Sequence, residues 1–342
     1  MKRISFTMVA LLACLFSVAQ TTTSLYKMSN KFPVDGDGGW DYINVDDSSH
    51  LVYISHGTVV QVLDVTTATV VATIPDTKGV HGIALAKDLN KGFISDGKDT
   101  AVTVFDLKTY KTLEKIKVTG NNPDAILYDK FTHRIFTFNG RSSNATVIDA
   151  KTDKVLGTIA LEGKPEFAVT DEKGLIYVNI EDKSKVCQID PVKMKAVQYW
   201  SIAPGEEPSG LAIDTKTHRL FSVCDKLMVI LDADNGKVIT TLPIGDRVDG
   251  VAFDPGKKRA YSSNGDGTMT VVQEENENSF KVLENVPTQK GARTITVDKS
   301  THKLYLPTAK FGDAPEATKD NPHPRPAIKP GTFTVIEMEP LN

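Results

Sequence analysis

The sequence predicts an all-β fold in which seven blades of four antiparallel strands close into a β-propeller. Three observations support this prediction. Short apolar segments that end in Asp recur at intervals of 40 to 44 residues along the 342-residue chain, a spacing typical of propeller blades. They are rich in Val, Ile, Phe and Tyr, and Gly, Asn, Asp and Pro separate them. No helical period of 3.6 residues accompanies them. The recurring acids are Asp46, Asp88, Asp129, Asp171, Asp214, Asp254 and Asp298.

One repeat unit shows the four strands of a blade. They are predicted at residues 123–129 (PDAILYD), 133–139 (HRIFTFN), 145–149 (ATVID) and 154–160 (KVLGTIA). A second series of acids ends the third strand of five units. Because Asp bonds readily to the backbone two residues further on, we expect both series to form turns. The second series is Asp64, Asp106, Asp149, Asp190 and Asp232.

The two ends of the chain are predicted to close the ring together. The seventh unit has strands near residues 292–298, 303–307 and 332–338 but no fourth strand. Residues 24–34 precede the first unit and resemble the missing strand. We therefore expect them to complete the last blade and to remove an exposed edge. Residues 20–342 are predicted to form a single domain.

The units resemble the YVTN repeat of YncE-like bacterial propellers over about residues 24–338. The closest match to the tetrapeptide is Ile176-Tyr177-Val178-Asn179, and residues 147–149 and 157–159 match the third and fourth strands. The Gly-His and Trp-Asp pairs of WD40 repeats do not recur. The resemblance implies a periplasmic binding or interaction protein, with nucleic-acid binding proposed for some members. The wider fold includes haem d₁ domains, quinoprotein subunits, lactonases and lyases.

The N-terminal residues predict a cleaved secretory signal peptide at residues 1–19. Two basic residues at positions 2 and 3 precede an apolar stretch over residues 4–16, and residues 17–19 form a small-x-small cleavage signal. The apolar stretch is too short to span a bilayer. We therefore expect a periplasmic or secreted protein. A lipidation signal at Cys14 is the less favoured alternative.

Composition excludes several classes of function. The net charge of −3 and the lack of basic residues interleaved with aromatics argue against a nucleic-acid partner. No CxxCH motif occurs, so covalent haem is excluded. GxSxG, P-loop and dinucleotide motifs are also absent. Cys187 and Cys224 lie in neighbouring units, and the sequence neither predicts nor excludes a disulfide between them. We expect a monomer.

Two series of polar residues are predicted to surround one mouth of the central channel. Residues at the start of the first strand and at the end of the second should reach the same face, and the two series are offset by fifteen residues in every unit. The first series is Asp41, His81, Asp124, Glu166, Ser209, Asp249 and Arg293. The second is His56, Asp96, Asn139, Glu181, Cys224, Asn264 and Thr308. Basic residues follow two positions later at Lys98, Arg141, Lys183, Lys226 and Lys310.

The chemistry of this ring favours a bound cation. Clustered carboxylates raise one another's pKa unless a cation joins them. His with carboxylates suits zinc, manganese or iron better than magnesium. The candidate metal ligands are His56, His81, Glu166 and Glu181. The predicted ligand site comprises these four residues together with Asp41, Asp96, Asp124, Asn139, Arg141, Asp249, Asn264 and Arg293. The structural alternative is that these residues only cap turns, with the inner acids and outer bases neutralising each other.

Two further features lie outside this ring. His50, His133, His218 and His302 share a repeat position before the second strand, which should lie at the opposite face and serve a structural role. Residues 309–331 form a long insertion with five prolines in the last unit. Long loops often carry function. The insertion is therefore either a lid over the mouth or a surface excursion.

The leading functional hypothesis is an exported, non-catalytic propeller that binds a small molecule, a metal ion or a protein at the channel mouth. The alternative is a metal-assisted hydrolase, lactonase or lyase. In that enzyme Glu166 or Glu181 would act as the base and Arg293 would hold an anion. Electron transfer to a haem protein or quinoprotein is a third hypothesis, which no redox-cofactor motif favours.

Overall fold

The structure is a computed structural model that describes residues 24–316, 318 and 326–341. The predicted signal peptide at residues 1–19 lies outside the described residues. The tip of the insertion, at residues 317 and 319–325, also lies outside them.

Seven four-stranded antiparallel sheets form the blades, which confirms the predicted fold. Blade 1 consists of β2 (Trp40–Asp46), β3 (Leu51–His56), β4 (Val59–Asp64) and β5 (Thr69–Ile74). Blade 2 consists of β6 (Val80–Ala86), β7 (Lys91–Asp96), β8 (Ala101–Asp106) and β9 (Thr112–Lys117). Blade 3 consists of β10 (Pro123–Asp129), β11 (Arg134–Asn139), β12 (Asn144–Asp149) and β13 (Lys154–Ala160).

Blades 4 to 6 repeat this order of strands from the channel outwards. Blade 4 consists of β14 (Pro165–Thr170), β15 (Ile176–Ile180), β16 (Lys185–Asp190) and β17 (Lys195–Ser201). Blade 5 consists of β18 (Leu211–Asp214), β19 (Arg219–Cys224), β20 (Leu227–Asp232) and β21 (Val238–Pro243). Blade 6 consists of β22 (Val248–Asp254), β23 (Arg259–Asn264), β24 (Thr268–Asn276) and β25 (Ser279–Pro287). Short 3-10 turns occur at Lys87–Leu89 and Glu181–Lys183.

Blade 7 joins the two ends of the chain, as predicted. It consists of β26 (Thr296–Asp298), β27 (Lys303–Thr308), β28 (Thr334–Pro340) and β1 (Tyr26–Pro33). Strand β1 is the outermost strand and pairs antiparallel with β28 from Tyr26↔Pro340 to Pro33↔Thr334. The hydroxyls of Tyr26 and Tyr261 lie 2.7 Å apart and tie β1 to blade 6. The ring is therefore closed by backbone pairing rather than by side chains alone.

The core lies between the faces of neighbouring blades. The middle strands carry continuous apolar runs because both of their faces are covered, whereas outer strands such as β5 are largely exposed. Aromatic rings bridge the interfaces: Tyr53 and Phe105 join blades 1 and 2, and Phe221 and Phe253 join blades 5 and 6 with centroids 5.0 Å apart. Each blade thus depends on its neighbours for burial.

The repeated acids form turns at the strand ends. Asp149 Oδ1 accepts hydrogen bonds from the backbone N–H groups of Lys151 and Thr152, at 3.0 and 2.8 Å. Equivalent bonds recur at Asp64, Asp106, Asp190 and Asp232. The turn-forming role predicted for these acids is therefore confirmed.

The four repeated histidines lie at the face opposite the mouth and make structural contacts there. Nδ1 of His50 lies 2.7 Å from Asp298 of blade 7, and Nδ1 of His302 lies 2.7 Å from Asp254 of blade 6. His133 contacts Asp88 of blade 2, and His218 contacts Asp234. Three of the four therefore join neighbouring blades.

The two cysteines are not paired, and the stem of the insertion is ordered by backbone contacts. Cys187 and Cys224 are buried free thiols. The stem of the insertion is held by a bridge between Phe311 and Ile328 and by a 2.8 Å hydrogen bond from Gly312 N to Ala327 O. The predicted lid stays a prediction, because the tip lies outside the described residues. No helix in the described ranges is long and apolar enough to cross a bilayer.

Candidate functional site at the channel mouth

Bulges in the inner strands aim the first series of polar residues into the channel. In five blades the inner strand has one more residue than its partner; in blade 1, Trp40 pairs with His56 but Ile43 pairs with Ile54. A bulge redirects the side chains beside it. Trp40 is therefore buried, and the next residue, Asp41, reaches blade 2 across the channel mouth.

Buried serines in the second strands hold these bulges. Ser55 Oγ accepts a 3.0 Å hydrogen bond from Asp41 N, and Ser95 Oγ accepts one of 2.8 Å from Gly82 N. Ser263 Oγ lies 3.2 Å from Gly250 O in the bulge of blade 6 and 2.5 Å from Arg293 O of blade 7. This role was not predicted, although a serine in an otherwise apolar strand is a signal that the sequence contains.

Asp41, His81 and Asp124 converge at the mouth from three consecutive blades. Nδ1 of His81 lies 2.6 Å from Asp41 Oδ2 and 3.6 Å from Asp124 Oδ1. One potential ligand atom from each of the three residues lies within 4.8 Å of the others. The arrangement therefore resembles an open metal site with one nitrogen and two oxygen ligands.

Two cations flank this group of three. Arg293 pairs with Asp249, donates to Trp40 O at 3.1 Å and lies 4.0 Å from Asp41. On the other side, Lys164 lies 2.7 Å from Glu166 and also pairs with Glu181. The remaining member of the first series, Ser209, donates a long hydrogen bond of 3.4 Å to Val248 O.

Burial and neighbouring charges shift the pKa values of three groups at the mouth. Burial lowers the pKa of His81, but the hydrogen bond to Asp41 and the charge of Asp124 outweigh it and raise this pKa to about 9. Burial and the charge of Asp124 raise the pKa of Glu166 to about 7. Burial, together with the charge of Asp41, raises the pKa of Asp124 to about 6 despite the opposing effect of His81. Each of the three groups therefore holds its proton to a higher pH than usual.

An aromatic pair forms the floor of the mouth. The rings of Tyr42 and Phe167, which follow Asp41 and Glu166 in sequence, meet with centroids 5.2 Å apart. Burial and the charges of Asp124 and Glu166 hold the pKa of Tyr42 well above its usual value. Below this pair, the inner strands of all seven blades line a cavity of about 470 Å³ that includes Asp46 and Lys299 near its far end.

Most of the second series lies inside the blades. The reason is the strand register: His56 pairs with Trp40 rather than Asp41, so its side chain follows Trp40 into the blade. His56 is 1% exposed, bonds to Gln61 at 2.8 Å and stacks on Phe333. The remaining bonds are Asp96 with Thr103, Asn139 with Asn144 and Thr146, Asn264 with Thr268 and Thr270, Cys224 with Leu227, and Thr308 with Lys290.

The structure therefore divides the predicted ligand residues into two sets. It brings together Asp41, His81 and Asp124, and it connects Glu181 to Glu166 through Lys164. It does not bring His56 next to His81. Ligand binding by His56, Asp96, Asn139 and Asn264 stays a prediction from the sequence alone. The predicted outer bases Lys98 and Arg141 are exposed in the turns beside the mouth.

Comparisons with known proteins bear on the fold alone. No family model matches the chain, and no curated protein matches its sequence. Among solved structures, Kuenenia stuttgartiensis hydrazine synthase is similar with a TM-score of 0.69 and 16% identity, over 80% of this chain and 94% of that chain. The RRP9 WD40 repeats are similar with a TM-score of 0.76 and 8% identity, over 92% of this chain and 100% of that chain. A chain of the mitotic checkpoint complex is similar with a TM-score of 0.74 and 11% identity, over 99% of this chain and 98% of that chain.

These likenesses support a seven-bladed, WD40-like propeller. The identities are too low to transfer a function, and propellers serve many unrelated functions. Function must therefore be argued from the site.

Proposed function

We propose that this chain is an exported propeller of the YVTN type that binds a divalent metal ion at the channel mouth. Asp41, His81 and Asp124 are the proposed ligands. The observation that carries the proposal is the 4.8 Å clustering of one ligand atom from each residue, contributed by three separate blades. Export rests on the sequence of residues 1–19, and the protein is expected to act as a monomer.

The charge of the mouth supports a cation there. Two fixed cations, Lys164 and Arg293, face five carboxylates, so His81 must carry a proton to reduce the imbalance. A divalent ion replaces that proton and supplies the remaining charge. The carboxylates are Asp41, Asp124, Glu166, Glu181 and Asp249.

The ligand set indicates which ions fit. One imidazole and two carboxylates suit zinc, manganese or iron, whereas magnesium and calcium prefer oxygen ligands alone. Three protein ligands leave coordination positions free. A small molecule can therefore bind directly to the metal, which unites the metal and small-molecule alternatives.

Metal titration of purified, metal-free protein tests this proposal. Isothermal titration with Zn²⁺ and Mn²⁺ should give one site, and His81→Gln or Asp124→Asn should weaken it at least tenfold. His218→Gln is the matched control, because His218 lies at the opposite face beside Asp234. A protein that binds neither ion, or variants that bind as tightly as the wild type, would contradict the proposal.

Metal-assisted hydrolysis, including lactone hydrolysis, is the second candidate function. Glu166 favours it, because its pKa of about 7 suits a general base at neutral pH. In this function Glu166→Gln should abolish turnover of lactones and esters by the metal-loaded protein while leaving metal affinity nearly unchanged. Unchanged turnover in Glu166→Gln would exclude Glu166 as the base. A wild-type protein that binds metal but turns over neither lactones nor esters would leave the binding function alone.

A further inference from the structure

Two exposed turns lie directly against the proposed metal ligands. The turn after β7 contains Gly97 and Lys98, and a Cβ at Gly97 would lie 2.6 Å from Nε2 of His81. Gly97 N also donates to Gly79 O at 2.9 Å, just before the strand that carries His81. The turn therefore packs closely against the imidazole, and Lys98 follows on its solvent side.

The corresponding turn of blade 3 lies beside Asp124. Gly140 N donates to Asn122 O at 3.1 Å, and Asn122 Nδ2 lies 3.4 Å from Asp124 Oδ2. Arg141 follows Gly140 and is exposed. The blades that supply His81 and Asp124 thus each place one basic side chain at the rim.

These two bases differ in their pairing from two other members of the outer series. Lys183 lies 3.2 Å from Asp182, and Lys226 lies 4.0 Å from Asp225. Within residues 24–316, 318 and 326–341, neither Lys98 nor Arg141 has a carboxylate partner within ion-pair distance. Two uncompensated positive charges therefore stand beside a metal site that its protein ligands leave open.

We infer that the mouth binds a small molecule through an oxyanion group, a carboxylate or a phosphate, that joins the metal ion to Lys98 and Arg141. This inference rests on the proposed metal site. The oxyanion fills a free coordination position, and the guanidinium of Arg141 offers the paired donors that carboxylates and phosphates accept. The carboxylates beneath repel the anion when the metal is absent. Anion binding therefore depends on the metal, and each tightens the other by the same factor.

The probes are inorganic phosphate and malonate, which distinguish a phosphate from a carboxylate ligand. The broadening of the ³¹P and ¹³C lines by Mn²⁺-loaded protein measures their binding, and titration calorimetry measures binding to metal-free protein. We expect one or both probes to bind at least tenfold more tightly to the Mn²⁺ form. Lys98→Gln and Arg141→Gln should each weaken anion binding about tenfold and leave Mn²⁺ affinity within about threefold. Lys226→Gln is the control at the same repeat position and should change neither affinity.

The outcomes separate this inference from the function on which it rests. If Mn²⁺ binds but neither probe binds more tightly than to metal-free protein, the inference fails and the metal site stands. An equal loss of anion affinity in Lys226→Gln would indicate diffuse attraction and also overturn it. Failure of Mn²⁺ and Zn²⁺ to bind at all would overturn both.

Discussion

The rings of Tyr42 and Phe167 meet with centroids 5.2 Å apart, although one belongs to blade 1 and the other to blade 4. These blades stand on opposite sides of the ring, so the contact spans the central channel. Each aromatic residue directly follows a polar residue of the mouth. The polar site therefore lies directly above an aromatic pair that also lines the cavity of the channel.

Replacing Phe167 by Ala should destabilise the fold by about 1 to 2 kcal/mol, because it removes an aromatic contact and part of the buried floor. Urea unfolding measures the change. Leu113→Ala is the control, since Leu113 is 53% exposed on the outer strand of blade 2 and should cost less than about 0.5 kcal/mol. Equal stability of Phe167→Ala and the wild type would show that the ring contact does not contribute.

Metal affinity should increase with pH between about pH 6 and pH 8. His81 has a pKa of about 9 in the metal-free protein, so it must release a proton before it can bind a metal ion. One released proton corresponds to about a tenfold tighter Kd for each pH unit. Competition with a metal-sensitive dye at several pH values measures this slope. In His81→Gln the slope should be smaller, and a wild-type affinity independent of pH would exclude His81 as a ligand.

The sequence predicted the architecture because each blade repeats the same strand and turn pattern. The seven recurring acids, such as Asp129, and the missing fourth strand of the last unit were sufficient for the blade count and for ring closure. Those features depend on local turn chemistry and on chain length, both of which can be read along the sequence.

The site was predictable only in part, because bulges and strand register decide where side chains point. Asp41 and His56 have the same offset as every other pair, yet the bulge sends Asp41 to the channel and the register sends His56 into the blade. A single added residue reverses the face of a strand. Tyr42 was missed because its partner, Phe167, is distant in sequence. Lys164 was missed because it precedes Glu166 by two residues and so belongs to neither polar series nor to the series of outer bases.

Gly97→Ala should weaken metal binding about tenfold without unfolding the protein, because the new Cβ would lie 2.6 Å from Nε2 of His81 and must displace the imidazole. Gly140→Ala is the matched control. It occupies the same position in blade 3, where a Cβ would meet its nearest neighbours, Asn122 and Lys164, at 3.7 Å. Titration calorimetry with Mn²⁺ compares the two. Equal affinities would show that the position of the imidazole does not control the site.

The buried carboxyl group of Glu274 should make the stability of the fold depend on pH, and it lies outside the polar residues of the channel mouth. Its side chain is 1% exposed and lies beside Asp214 and Thr217. Burial, with a contribution from the charge of Asp214, raises the pKa of Glu274 from 4.5 to about 7. The folded state thus holds this proton more tightly than the unfolded chain does. The stability contributed by Glu274 is complete below about pH 4.5 and falls as the pH rises to about 7.

Glu274→Gln should remove this dependence, since an amide stays neutral at every pH. We expect the variant to gain about 1 to 3 kcal/mol of unfolding free energy relative to the wild type between pH 5 and pH 8. Urea unfolding at both pH values gives the difference, in which any constant cost of burying the amide cancels. Glu114→Gln, at an exposed position on β9, is the control and should show no such gain. A parallel pH dependence of Glu274→Gln and the wild type would mean that the Glu274 carboxyl titrates as it does in the unfolded chain.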